Sequence, residues 1–199
     1  MVQTTRLKAI EQGSTQYTKT VTPPGISHVT GQPTRMLKRA ADNAKLGGGR
    51  TVRTWQRGPF KGLPLYSLTL EERATCDRSC PVWDLCYGDH MPFASRFDAT
   101  LDEGRPLMRL LEQELCDLDN RHPEGYSVRL HVLGDFFSLR YVVFWRRSLR
   151  RHPGLRAYGY THRTGALSRA IDKVFMEFPG RFVLMQSDPT EETVRPLLP

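Results

Sequence analysis

The sequence has no run of about 18 apolar residues, which excludes a membrane-spanning helix. The first dozen residues, Met1 to Gln12, lack the apolar stretch that a secretory signal carries. Cysteine is scarce, four in 199 residues. These absences lead to the expectation of a reducing, cytoplasmic setting, where cysteines serve metal or redox chemistry more than a disulfide framework. Acid is nearly missing from one stretch: residues 1–63 hold 11 of the 29 Lys and Arg but only two of the 21 Asp and Glu, Glu11 and Asp42. The net +8 is therefore a +9 on the first 63 residues and a −1 on the rest. A chain that is 39% hydrophobic and 25% charged has ordinary globular composition, with room for one good core and not for two large domains.

The expected organisation is a basic N-terminal extension, 1–63, and an α/β body, 64–199. The extension opens as a Thr-rich stretch in which Pro23, Pro24 and Pro33 block regular structure. A helix is expected over Arg35–Leu46, ended by Gly47, Gly48 and Gly49. Basic residues interleaved with Trp55 and Phe60 follow. Such a pattern can track a phosphate backbone and stack on bases, which makes Lys38, Arg39, Lys45, Arg50, Arg53 and Arg57 candidates for nucleic-acid contact. The alternative is a solvated arm that keeps the protein soluble or covers one face of the body.

From Leu65 onward apolar periodicity alternates between strand and helix. Strands are expected at Leu65–Leu70, Ser127–Leu133, Leu155–Tyr160 and Arg181–Gln186. Helices are expected at Phe97–Leu118, Leu139–Arg151 and Ala166–Phe178. Gly104 and Pro106 leave the start of the first of these open between Phe97 and Asp102. Its stripe is Leu107, Leu110, Leu111, Glu114, Leu115 and Leu118. Ser138 suits the N-cap of the second helix, with Val142, Val143, Trp145 and Leu149 inward and Arg140, Arg147 and Arg151 outward. The alternation predicts an α/β fold with a parallel sheet of about four strands, either an open partial barrel or a small doubly wound sheet.

Parallel α/β folds place their chemistry at the C-terminal ends of the strands. After the first strand come Cys76, Cys80 and Cys86 within 11 residues, a spacing at which thiolates can share an iron–sulfur cluster or a zinc ion. His90 would complete a Cys₃His zinc site. Spacing alone does not decide the metal, and reduced unliganded thiols are the plain alternative. Cys116 sits in an apolar helical pattern and is expected in the core. After the second strand come Gly134, Asp135 and Ser138, after the third Thr161, His162 and Arg163, and after the fourth Ser187. Gly134 suits close approach to a ligand, Asp135 an amine, hydroxyl or metal, or an Asx turn. His131, within its strand, reads as a hydrogen-bonded core histidine.

Read in order, these segments resemble the start of the radical S-adenosylmethionine superfamily, with Cys76, Cys80 and Cys86, then Leu133-Gly134-Asp135, then Tyr160-Thr161-His162, then Gln186-Ser187-Asp188. The resemblance implies a [4Fe–4S] cluster whose open iron takes the methionyl amine and carboxylate, with Asp135 near the amine. It implies a cofactor pocket of Gly134, Asp135, Ser138, Thr161, His162 and Ser187. The chain departs from the usual C-x3-C-x2-C spacing by three residues before Cys86. A nearer likeness is to the gene-product-88-like family of phage and mobile-element proteins. Cys80-Pro81, Cys86-Tyr87, Gly134-Asp135-Phe136, the Trp145 helix and Tyr160-Thr161 carry it, over roughly residues 43–190. It implies shared architecture and a phage context, hence host cytoplasm.

Three functions follow. The first is an iron–sulfur protein, radical-SAM-like, acting on a nucleotide or nucleic acid. The second is a zinc-stabilised, non-enzymatic nucleic-acid-binding protein. The third is a metal-dependent hydrolase using His131, Asp135 and His162.

Overall fold

The computed structural model describes residues 6–8, 19–39, 60–80, 82–91, 94–187 and 195–196. In chain order its strands are β1 (Arg6–Lys8), β2 (Lys19–Thr22), β3 (Lys38–Arg39), β4 (Leu65–Ser67), β5 (Arg96–Phe97), β6 (Tyr126–Leu130), β7 (Leu155–Thr161), β8 (Phe182–Gln186) and β9 (Arg195–Pro196). Its α-helices are α1 (Glu72–Thr75), α2 (Arg105–Arg121), α3 (Leu139–Arg151) and α4 (Gly165–Glu177). The architecture is mixed α/β.

The larger sheet has the order β3-β4-β6-β7-β8-β9. Its four central strands are parallel and adjacent in chain order, with Tyr66 beside Val128, Val128 beside Ala157, and Gly159 beside Leu184. The edge strands β3 and β9 run antiparallel to their neighbours. The sheet is thus open, with six strands rather than the expected four, and no barrel closes among the described residues. A smaller sheet joins β1, β2 and β5.

Alternation along the strands sends Tyr126, Val128 and Leu130 of β6, Leu155 and Ala157 of β7, and Phe182 and Leu184 of β8 into one core. Helix α2 packs on α3 and α3 on α4 along that face. Leu107, Leu111, Leu115 and Leu118 are the buried stripe of α2. Helix α3 buries Tyr141, Val142, Trp145 and Leu149, while Val143 stands exposed. Its first turn is capped as expected, Ser138 Oγ accepting from Tyr141 N at 3.1 Å. Among the described residues no helix is long and apolar enough to cross a membrane.

Several boundaries move for identifiable reasons. The described part of the expected helix Arg35–Leu46 is not helical. Met36 and Leu37 are both buried, and their N–H groups donate to the Glu114 carboxylate at 2.7 and 2.8 Å. Glu114, the odd polar member of the α2 stripe, thus docks this segment beside β3. Helix α2 begins at Arg105 because Gly104 takes φ 78°, where a Cβ would lie 2.7 Å from the Phe137 ring, and Pro106 follows in the first turn. Phe97, expected in that helix, is in β5. Strand β6 ends at Leu130, not Leu133, because His131 adopts φ 56° and breaks the ladder. Cys116 is exposed on α2, contrary to its expected place in the core.

Glu114→Leu would extend the apolar stripe but strip two buried N–H groups of their acceptor. It should cost about 1–3 kcal/mol and lower the melting temperature by a few degrees, measured by thermal denaturation. An unchanged or raised midpoint would refute the docking role.

Candidate functional site

The loops that follow β4, β6, β7 and β8 open onto one cavity of about 390 Å³. Cys76, Cys80 and Cys86 line it from the first loop, Gly134 and Asp135 from the second, His162 from the third and Ser187 from the fourth. None of the cysteines is in a disulfide.

The cysteine loop is held by charged anchors that sequence reading did not single out. Arg96 is fully buried, and its guanidinium grips Glu72 through two bonds, 2.8 Å to Oε2 and 3.2 Å to Oε1. Its remaining donors reach the carbonyls of Gly88, Met91 and Ala94, the far end of the loop. A Cβ at Gly88 would stand 2.7 Å from Glu72 Oε1 and push on the Glu72–Arg96 pair. Arg73 lies over the Trp83 ring at 4.5 Å, donates to the Trp83 carbonyl at 2.7 Å and pairs with Asp89 at 2.6 Å. Tyr87 donates to the Val132 carbonyl, fastening the loop to the end of β6.

Asp135 is the second hub. Its carboxylate accepts from Phe136 N at 2.7 Å, Thr161 Oγ1 at 2.8 Å and His162 N at 2.9 Å, so it staples the β6 and β7 loops together. Burial pushes its pKa up against those donors. Gly134, at φ 87°, approaches protein rather than ligand: a Cβ would meet Thr75 Oγ1 at 2.5 Å. Arg163 is no free anion receptor. It donates to the Thr75 carbonyl and pairs with Asp77 at 3.3 Å, linking the β7 loop to the cysteine loop.

Other sequence candidates serve the fold or lie outside the cavity, apart from His131, which lines it. Ser138 is the α3 cap, and Thr161 sits behind Asp135 as its donor. His90 is exposed at the end of a 3₁₀ turn. His131 is a core histidine as expected, with Nε2 3.1 Å from Tyr141 Oη and its ring edge-on to Phe136. Burial first, then Arg163, holds its pKa down to about 3, so it is neutral. With His131 and Asp135 already bonded inside the protein, the hydrolase grouping has no free carboxylate. Of the basic candidates, Lys38 and Arg39 form edge strand β3, with Lys38 Nζ on Thr34 Oγ1 at 2.6 Å. Lys45, Arg50, Arg53 and Arg57 lie outside the described residues.

Burial, and secondarily the Asp135 carboxylate, pushes the Cys76 thiol up to about 12 from an ordinary 9.0. Burial likewise raises Cys86. Among the described residues only Glu112, Cys116 and His152 bring three metal-ligating atoms within 4.8 Å of one another. Cys76, Cys80 and Cys86 line one cavity without meeting that limit.

Metal-free protein should therefore react at Cys76 as a protonated thiol, at least ~10-fold more slowly with iodoacetamide at pH 8 than a free cysteine. The folded chain holds this proton more tightly than the unfolded one. The Cys76 contribution to stability is then complete below pH 9 and declines toward pH 12. Arg96→Met takes the buried guanidinium away from Glu72 and from three loop carbonyls, at a cost of about 3–5 kcal/mol, and should release the loop so that Cys76 alkylates faster. Mass spectrometry after timed alkylation reads this, and an unchanged rate in the variant would refute the anchoring role.

A family model described as Gene product 88 matches residues 35–175. The chain belongs to that family. No curated protein and no solved structure matches it.

Proposed function

We propose that this Gene product 88 family member is an iron–sulfur protein in which Cys76, Cys80 and Cys86 hold a [4Fe–4S] cluster at the mouth of the parallel strands. The observation that carries this reading is the arrangement of the thiols. They share one cavity, yet their sulfurs are not gathered within 4.8 Å. Thiolates on a single tetrahedral zinc, at about 2.3 Å from the ion, stand about 3.8 Å apart. Thiolates on separate irons of a cluster stand further apart and need room between them, which the cavity provides. The half-buried Cys76 and Cys86 thiols, whose pKa burial raises, give up their protons on binding a metal, so loading releases protons.

When bound, the cluster would supply one-electron chemistry and an open iron for a ligand such as S-adenosylmethionine. The chain's own residues do the rest. Glu72 and Arg96 fix the loop that carries the thiols, and Asp135 holds the His162 amide and the Thr161 hydroxyl so that His162 and Ser187 edge the opening. In this reading β4, β6, β7 and β8, adjacent and parallel with α2, α3 and α4 on one face, form a partial barrel. Residues 64–199 are the body and 1–63 a basic extension. The substrate class is a nucleotide or nucleic acid, and the setting is the cytoplasm of a phage host.

Anaerobically purified protein should be brown, with about four irons and four sulfides per chain. Alanine at each of Cys76, Cys80 and Cys86 should deplete both. Cys116→Ser removes zinc taken up by the Glu112 cluster, so a colourless Cys116→Ser protein with one zinc per chain would overturn the reading.

A second reading, a zinc-stabilised nucleic-acid-binding protein, is favoured by a different observation. A groove of about 750 Å³ between α2 and α3 is lined by Arg105, Arg109, Arg140, Arg147 and Arg151. Three of these face acids: Arg105 faces Asp102, Arg140 faces Glu103 and Arg151 faces Glu112. Arg109 and Arg147 are left to phosphates, with Lys38 and Arg39 on the sheet edge. On duplex DNA each phosphate that a side chain neutralises steepens the fall of log affinity with log salt by about 0.9. The double variant Arg109→Ala/Arg147→Ala should therefore show a salt slope shallower by roughly two in fluorescence anisotropy, and an unaltered slope would remove this groove from the interface.

A further inference from the structure

The walls of the 390 Å³ cavity carry two acids and one permanent cation. Both acids are committed within the protein. Glu72 is taken up by Arg96, and Asp135 by the Phe136 and His162 amides and the Thr161 hydroxyl. Arg129 is not. It projects from β6 on the face opposite the helices, two residues before the turn at His131. Its Nε is buried with no hydrogen-bond partner, as is that of Arg73 and Arg163, but unlike those two it makes no ion pair with an acid among the described residues. The Tyr160 ring centroid lies 5.8 Å from its Cζ, and its charge also acts on the Tyr87 and Tyr158 phenols. A ring face steadies a guanidinium and leaves its planar edge of donors free. A second orphan nitrogen, His131 Nδ1, lines the same wall two residues on.

A guanidinium with a buried, unpaired nitrogen is costly, and native structures rarely keep one without a partner. Here Glu72 is paired with Arg96 and Asp135 is held by neutral donors, and among the described residues neither carboxylate pairs with Arg129, the one permanent cation of the lining. We propose that Arg129 is the receptor for an oxyanion, a carboxylate or phosphate, on the small molecule that this cavity binds. The guanidinium fork matches either group bidentately. The inference rests on the cavity being a ligand site and names the chemical handle by which the ligand is held.

The test uses the full chain purified anaerobically with its iron, and isothermal titration with three probes: sodium pyrophosphate, methionine and S-adenosylmethionine. Wild-type protein should bind at least one of them. Pyrophosphate alone identifies a phosphate, and the other two a carboxylate. Arg129→Gln should weaken that binding roughly 10- to 100-fold, and Arg129→Lys less, because the charge stays while the fork is lost. Binding unchanged in Arg129→Gln, or no binding of any probe at millimolar concentration to wild type, would overturn the inference. So would a folded Arg129→Gln protein that loses its iron but keeps its affinity, since Arg129 would then be a counter-ion for the metal centre. Failure of the iron–sulfur reading looks different: no iron in wild type, with probe binding that still depends on Arg129.

Discussion

The buried pair of Glu72 and Arg96 is the constraint on which the rest of the site depends. Each charge alone would be untenable where it lies, since taking an ion out of water costs several kcal/mol. Together they are satisfied, and the arginine directs its three further bonds to the backbone carbonyls of Gly88, Met91 and Ala94 at the far end of the loop. An irregular stretch with three thiols has little apolar material of its own to bury, so it cannot be held by a core. It is held by an ion pair whose fork and carbonyl contacts specify one backbone path. Arg73 and Arg163 repeat the device at the middle and start of the same loop, each joining an acid to a main-chain oxygen.

Asp135 performs the matching task across the strand ends. Parallel strands bring their C-termini together but leave the loops beyond them independent. A single carboxylate that accepts from Phe136, Thr161 and His162 makes two of those loops one rigid edge. Gly134 then lets that edge close against Thr75 and Leu70, under the cysteine loop. The cavity is what remains between these fixed parts, and its two acids are already spoken for, while Arg129 Nε and His131 Nδ1 are not.

Much of the fold was legible because periodicity and packing agree. Leu139–Arg151 reads as a helix from its apolar spacing and its Ser138 cap, and it forms over those residues. The four parallel strands fall where alternating or continuous apolar runs lie between turn residues. One failure comes from a long-range contact that overrides local preference. Met36 and Leu37 look helical by themselves and form a bend before β3 because Glu114, 78 and 77 residues on, takes their amides. Strands β5 and β9 are two residues each and have no pattern to read. In the site, the thiols, Gly134, Asp135, His162 and Ser187 were visible from the strand-end rule alone. Glu72 and Arg96 were not, because an ion pair 24 residues apart leaves no periodic mark. The one available signal was a charge beside an apolar residue in a short extended segment, as at Arg96-Phe97.

The bonds that fasten the cysteine loop also carry a kinetic meaning. Arg163 reaches back across 88 residues to Thr75 and 86 to Asp77, and Tyr87 forward across 45 to Val132. Contacts of such separation form late, after the chain entropy of closing those loops has been met. The thiols are therefore presented in their final arrangement only once β6 and β7 are paired. A nascent chain emerging as far as Cys86 holds three thiols and no means of arranging them. Were these thiols to hold the proposed cluster, its delivery would follow folding, with the completed sheet as its gatekeeper.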